Sequence, residues 1–187
     1  MPILGIIASQ ISGNLTPNPL GAYDSLATVT VPSGGLSSIT FSGIPIGYKH
    51  LQIRAIGRND GAPVDARYTF NGDTGSNYSY HLLVGNGSTA ASYNATSQTF
   101  LRGAPYADQT ANVFGAGVTD ILDYANTNKY KTVRTLTGMD NNTVNYGQIQ
   151  FYSGLWMNTA AISSITITPS AGTVWTQYSS FALYGVK

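Results

Sequence analysis

The stretch Ile162-Ser163-Ser164-Ile165-Thr166-Ile167-Thr168 (ISSITIT) alternates β-branched apolar side chains with hydroxyl side chains. Successive residues of a strand face opposite sides of a sheet, so this period of two reads as a strand with one face in a core. The same alternation recurs on both sides of it. Ala27, Val29 and Val31 alternate with Thr28 and Thr30, and Leu51, Ile53 and Ala55 with Gln52 and Arg54. Ile39 with Phe41, and the segments 67–70, 78–84, 99–102, 130–136, 147–156 and 178–184, supply further strand signals. Segment 112–122 is apolar and reads as a core strand, with Gly115 and Gly117 marking a bulge. Between the strands lie turn signals: Pro32 to Gly35, Gly43-Ile44-Pro45, Asn71-Gly72 as a hairpin turn, and Asp123 to Asn128. Segment 86–98 is small and polar and reads as a long loop; a short helical turn is expected near Thr159 to Ala161. The result is about nine or ten strands without a segment of helical period. The expected fold class is all-β: an antiparallel β-sandwich, jelly-roll-like, with a short N-terminal arm. Residues 1–22 form the arm and a Pro/Asn-rich linker, and residues 23–187 the sandwich domain.

The composition narrows the function. A chain of 187 residues with 42% hydrophobic content can bury a core without staples, and the absence of Cys removes disulfides, thiolate catalysis and cysteine zinc sites together. Only 9% of residues are charged, against roughly 25% in an ordinary soluble domain. All eight acids are Asp. Asn, Ser, Thr, Gly and thirteen Tyr carry the polarity instead. Such a surface hydrogen-bonds readily and repels copies of itself weakly, which suits a protein packed among neighbours. A net charge of +1, with Lys129, Lys131 and Arg134 as the tightest basic group, gives no stripe for nucleic acid. Residues 3–11 (ILGIIASQI) are apolar but too short to span a bilayer, and they follow no basic region.

Catalytic constellations are weak. Asp120 and Asp123 flank a short apolar step and read as turn-capping residues rather than a glycosidase pair. His50 and His81 stand alone in strand segments, and no G-x-S-x-G accompanies them. Asn71-Gly72-Asp73-Thr74-Gly75 lacks the ligand spacing and terminal Glu of an EF-hand loop. Gly115-Ala116-Gly117 lacks a third glycine and a following helix. Neither a catalytic residue nor a metal or cofactor site is therefore assigned. Sugar binding has material in Tyr78, Tyr80, Tyr93, Tyr146, Tyr152 and Trp175 beside Asn77, Asn145 and Gln177, although Tyr also suits the half-buried face of any strand.

Six stretches in order, MPILGIIAS (1–9), YKHLQIR (48–54), FNGDTGSNY (70–78), DILDYANTNKYK (120–131), SGLW (153–156) and YSSFALYG (178–185), resemble a group of tailed-bacteriophage virion proteins. They run from end to end of the chain, so the likeness is to a whole protein. The resemblance implies a non-enzymatic structural role in the virion. The chain lacks the repeats or heptads of a fibre shaft, so the expectation is a capsid decoration (cement) protein that stabilises the head by bridging capsid subunits. The alternative is a tail-fibre or tail-tip receptor-binding protein that holds carbohydrate. The implied partners are sister copies in a homotrimer, the major capsid protein or another virion protein, and a host-surface glycan. Neither nucleic acid nor membrane is among them. The implied location is the virion surface after assembly in the host cytoplasm. The arm residues Ile3, Leu4, Ile6 and Ile7 are the expected partner contact, an apolar segment suited to extending a neighbour's sheet.

Overall fold

The computed structural model describes residues 21–142 and 147–187, and these form an all-β fold of two antiparallel sheets. The strands are β1 (Tyr23–Thr30), β2 (Ile39–Ser42), β3 (His50–Gly57), β4 (Val64–Phe70), β5 (Tyr78–Gly85), β6 (Ala90–Gln98), β7 (Leu101–Ala107), β8 (Gly115–Leu122), β9 (Lys131–Met139), β10 (Gln148–Trp156), β11 (Ser164–Pro169) and β12 (Ser180–Val186). The larger sheet has the order β1-β12-β3-β8-β9-β10-β5-β6 and the smaller β2-β11-β4-β7.

Eight of these strands trace a jelly roll. The first half of the larger order, β1-β12-β3-β8, faces the whole of the smaller sheet, β2-β11-β4-β7, and the chain crosses from sheet to sheet as it passes through β1, β2, β3 and β4 and again through β11 and β12. The other four strands are two inserted hairpins. β5–β6 lies between β4 and β7, and β9–β10 between β8 and β11. Both add to one side of the larger sheet, so four strands extend beyond the jelly-roll half of that sheet.

The core lies where the two sheets face each other. Ile165 and Ile167 of β11 have no exposed surface, and they meet Ile39, Phe41, Phe70, Leu51, Ile53, Phe181, Trp156 and Trp175 in one contiguous cluster. Thr166, between the two isoleucines, faces outward and meets Thr40 Oγ1 at 3.2 Å. Small residues bring the sheets together at β7 and β8. A Cβ on Gly115 would lie 1.6 Å from the Tyr106 carbonyl oxygen, and one on Gly117 2.5 Å from Ala104 Cβ. These glycines therefore serve close backbone approach; the β3–β8 register runs through both, and the β8–β9 register through Gly117, without a bulge. Thr137 Oγ1 bridges the junction, accepting from the Tyr106 amide at 2.8 Å and donating to the Ala116 carbonyl at 3.0 Å.

Several sequence expectations change. The described residues form twelve strands, and segment 86–98 is mostly β6, paired along its length with β5. Asn71 and Gly72 do adopt positive φ, 53° and 69°, but the turn carries the chain from the smaller sheet into the larger instead of closing a hairpin. Thr159 to Ala161 is irregular chain without helical structure. The arm residues Ile3, Leu4, Ile6 and Ile7 lie outside the described residues, as do Asn145 and Tyr146.

Candidate functional site

The inserted hairpins create two surfaces, one on each face of the larger sheet. The first is a cleft of about 510 Å³, where the inner faces of β5, β6 and β10 meet the β4–β7 edge. Its centre is an ion pair that a strand irregularity places there. Along β4, Ala66, Tyr68 and Phe70 face the core with a period of two, which would send Asp65 outward. The β4–β7 register shifts between Val64 and Ala66, and Asp65 turns inward, leaving only 3% of its surface exposed. A bulge re-aims a side chain in this way. Arg102 of β7 donates from Nη1 to Asp65 Oδ2 at 2.9 Å and keeps over a third of its side-chain surface exposed.

Burial pushes the Asp65 carboxyl above the usual carboxylate range, opposed by the Tyr152 hydroxyl and the Arg102 guanidinium. Burial acts downward on Arg102 most strongly of any single cause, but its bond to Asp65 together with the charges of Tyr80, Asp65 and Tyr152 outweighs this and raises it. Tyr152 donates to Gln150 Oε1 at 2.7 Å, and burial together with the Asp65 charge holds its phenol far above the usual range. The Gln150 amide in turn donates to Gln148 Oε1 at 3.0 Å. Asp65 Oδ1 and Arg102 Nε are sealed from water and have no partner of hydrogen-bonding geometry. Tyr80, with the Arg102 guanidinium 5.9 Å from its ring centre, and Tyr106 line the walls; Tyr93 and Asn94 of β6 stand at the rim.

The second surface is the outer face of the larger sheet. Its register places Leu83, Phe151, Leu136 and Val118 side by side across β5, β10, β9 and β8, ending at Arg54 of β3. The next row holds Gly85, Ile149, Gly138, Ala116 and Ile56. Ile56, Leu83, Leu136, Ile149 and Phe151 are each between 44% and 61% exposed. The small residues of the second row floor a concavity of about 1180 Å³, walled by Ile56, Phe114, Leu136 and Ile149. Charges on this face offset one another. Arg134 lies opposite Asp120, Asp120 accepts from Gln52 Nε2 at 2.9 Å, and Arg54 sits over the rings of Tyr184 and Tyr23 at 4.9 and 5.3 Å. Contiguous apolar exposure on this scale is characteristic of a surface covered by a partner.

The residues singled out in the sequence fall elsewhere. Asp120 sits on that outer face, and Asp123, with φ 47°, pairs with Lys129 and Lys49 beyond the end of β8, so they do not form a facing pair. His50 accepts the Asp123 amide at Nδ1 at 2.9 Å; His81 is exposed on the outer face of β5. Asp73 accepts from the Gly75 amide, Asn77 Nδ2 and Trp156 Nε1, which occupies its oxygens with protein donors. Among the described residues, no cluster of three or more His or acidic side chains could hold a metal ion. Lys131 is buried and donates to the carbonyls of Asn126, Lys129 and Thr159, so the basic group of the sequence is not a surface patch. Of the aromatic residues considered for sugar, Tyr78, Tyr152 and Trp175 are core side chains, whereas Tyr80 and Tyr93 line the cleft. Asp65 and Arg102 were not anticipated; the one local signal is an Asp between Val64 and Ala66 at the start of a strand.

No protein-family model matches the chain, and no curated protein matches it. Among solved structures, it is similar to the marine PL-14 alginate lyase from Aplysia kurodai, at 9% identity, covering 96% of this chain and 92% of that one, with a TM-score of 0.32. It is also similar to a protein of unknown function from Shewanella oneidensis, at 12% identity, covering 89% and 76%, with a TM-score of 0.25. Likenesses at this level carry no argument about activity.

Proposed function

We propose that this chain is a structural subunit of a tailed-phage virion, a capsid decoration protein that oligomerises and stabilises the head by bridging capsid subunits. The observation that supports it best is the apolar band Leu83–Phe151–Leu136–Val118 with Ile149 and Ile56, lying in register across five strands and open to solvent. Sister copies of the chain are the occupants the face suits. Its charges are balanced within the face, so two copies meet without repulsion. Its size is also sufficient. Eight strands spaced about 4.8 Å apart and about 26 Å long make a face of about 900 Å², against roughly 800 Å² per partner in a standard interface. The low charge of the whole chain supports the same reading.

The function is then energetic. A homotrimer that binds neighbouring capsomers adds buried area to the assembled shell alone, and by mass action it stabilises the state it binds. The arm bearing Ile3, Leu4, Ile6 and Ile7 is assigned the capsid contact in this proposal.

Sedimentation of the full chain tests the self-association. Wild type is expected as an oligomer at micromolar concentration, and Leu136→Asp with Phe151→Asp as a folded monomer. Each half-exposed apolar side chain has about 1 kcal/mol of burial left to gain, and a carboxylate there adds a desolvation cost. Particle imaging tests the location, with many copies on the head expected. A wild-type monomer, or an oligomer indifferent to both substitutions, would refute the assignment of this face; a few copies at the tail tip would refute decoration.

A further inference from the structure

We propose that the cleft at Asp65 and Arg102 is a binding site for a neutral, polyhydroxylated ligand of the oligosaccharide class, independent of whatever covers the opposite face of the sheet. The cleft volume of about 510 Å³ falls within the range of small-molecule sites, about 300–1,000 Å³. Its position is built rather than incidental. The core jelly roll supplies the ion pair through a bulged β4, and an inserted hairpin supplies the opposite wall.

The chemistry selects the ligand. The charged side chains lining the cleft are Asp65 and Arg102, and they neutralise each other at 2.9 Å. An ionised ligand would lose its hydration there without a net countercharge, so a neutral one is favoured. Around the pair stand groups that both donate and accept: the amides of Gln148 and Asn94, and the Tyr80 hydroxyl. Sugar hydroxyls also do both. Tyr93, 59% exposed at the rim, offers the flat apolar surface that the C–H face of a pyranose packs against.

The energetics point the same way. Asp65 Oδ1 and Arg102 Nε lack partners although both are buried. A buried charged pair left partly unsatisfied costs stability and gives the fold little in return. Such a group is expected where recognition, not folding, keeps it. Here Asp65 acts as a positioning residue: it fixes the guanidinium, whose exposed nitrogens then present donors to the cleft.

The test is saturation-transfer NMR and calorimetry on the full chain. The probes are trimers of glucose, mannose, galactose and N-acetylglucosamine, with a galacturonic acid trimer as the charged control. At least one neutral trimer is expected to bind, with the galacturonate trimer at least about tenfold weaker. Tyr93→Ala and Gln148→Ala are expected to weaken binding by about tenfold each, with the melting temperature unchanged for Tyr93→Ala, whose side chain is exposed at the rim. Tyr93 is exposed at the rim, which keeps the test valid even if Arg102→Met fails to fold. The proposal is overturned if no neutral trimer binds, if the galacturonate trimer binds best, or if Tyr93→Ala and Gln148→Ala both bind as wild type.

Discussion

Replacing Asp73 should loosen the crossing from the jelly roll into the first insert, because a single carboxylate holds that crossing. Asp73 Oδ1 accepts from the Gly75 amide at 2.8 Å, and Oδ2 from Asn77 Nδ2 at 2.9 Å and Trp156 Nε1 at 2.8 Å. Its carbonyl accepts from the Tyr78 hydroxyl at 2.9 Å, which itself accepts from the Phe70 amide at 3.1 Å. In Asp73→Ala, the indole N–H of Trp156, on a side chain with no exposed surface, loses its acceptor at a cost of about 1–3 kcal/mol. The Gly75 and Asn77 donors lie nearer solvent and add about 0.5–1 kcal/mol each, so the expected loss is about 3 kcal/mol. Asp73→Asn keeps one acceptor oxygen and turns an N–H₂ toward the remaining donor, for a loss of about 1–2 kcal/mol. Urea unfolding followed by tryptophan fluorescence, extrapolated linearly to water, measures both. The sign with pH follows from the carboxyl. Burial acts to raise its pKa, but the bonds from Trp156, Asn77 and the Gly75 amide outweigh burial and hold it below the ordinary value. The stabilisation is therefore present above the unfolded carboxylate value and lost as pH falls through the folded one, so the gap between wild type and Asp73→Asn should close in acid. An Asp73→Ala protein within about 1 kcal/mol of wild type, well below the loss reckoned from its bonds, would refute this account, as would a gap that widens in acid.

Two more perturbations have definite outcomes. Asp60 is held at about 2, chiefly by the Thr173 hydroxyl and the Val174 amide, so wild type should lose stability as pH falls from about 4 to about 2 and Asp60→Asn should lack that component in acid titrations monitored by circular dichroism. Gly115→Ala places a Cβ 1.6 Å from a backbone oxygen and should cost about 3 kcal/mol or more, whereas Gly47→Ala, with nothing within 4 Å, should melt within about a degree or two of wild type.

The jelly-roll strands were legible because one face of each is apolar. Ile39 and Phe41, Leu51 and Ile53, and Ile165 and Ile167 announce β2, β3 and β11 by alternation alone. β6 was not legible, since AASYNATSQ has no apolar face to alternate; it is a strand because β5 offers it an open edge. Asn71-Gly72 shows a related limit. Its chemistry fixes a turn with two positive φ values, but not which sheet receives the strand that follows. The cleft was out of reach for the same reason. Asp65 and Arg102 lie 37 residues apart and meet through a register shift that no local pattern encodes. The outer apolar band, by contrast, was hinted at by composition: few charges must leave some exposed strand faces uncharged, although only pairing register shows that Leu83, Phe151 and Leu136 form one row.

Each inserted hairpin closes on itself where it leaves the frame: Tyr78 pairs with Gln98 at one root and Lys131 with Trp156 at the other. Gly85 pairs with Ile149, so both tips emerge at the same end of the sheet. The loop at 86–89 and the described flanks of the second tip, residues 140–142 and 147, thus lie at one end of the sheet, where Gly87 and Ser88 stand farthest from the strand ends. A peptide grafted in place of Gly87-Ser88 would be presented there beside the second tip, which makes this chain a natural carrier for epitope display.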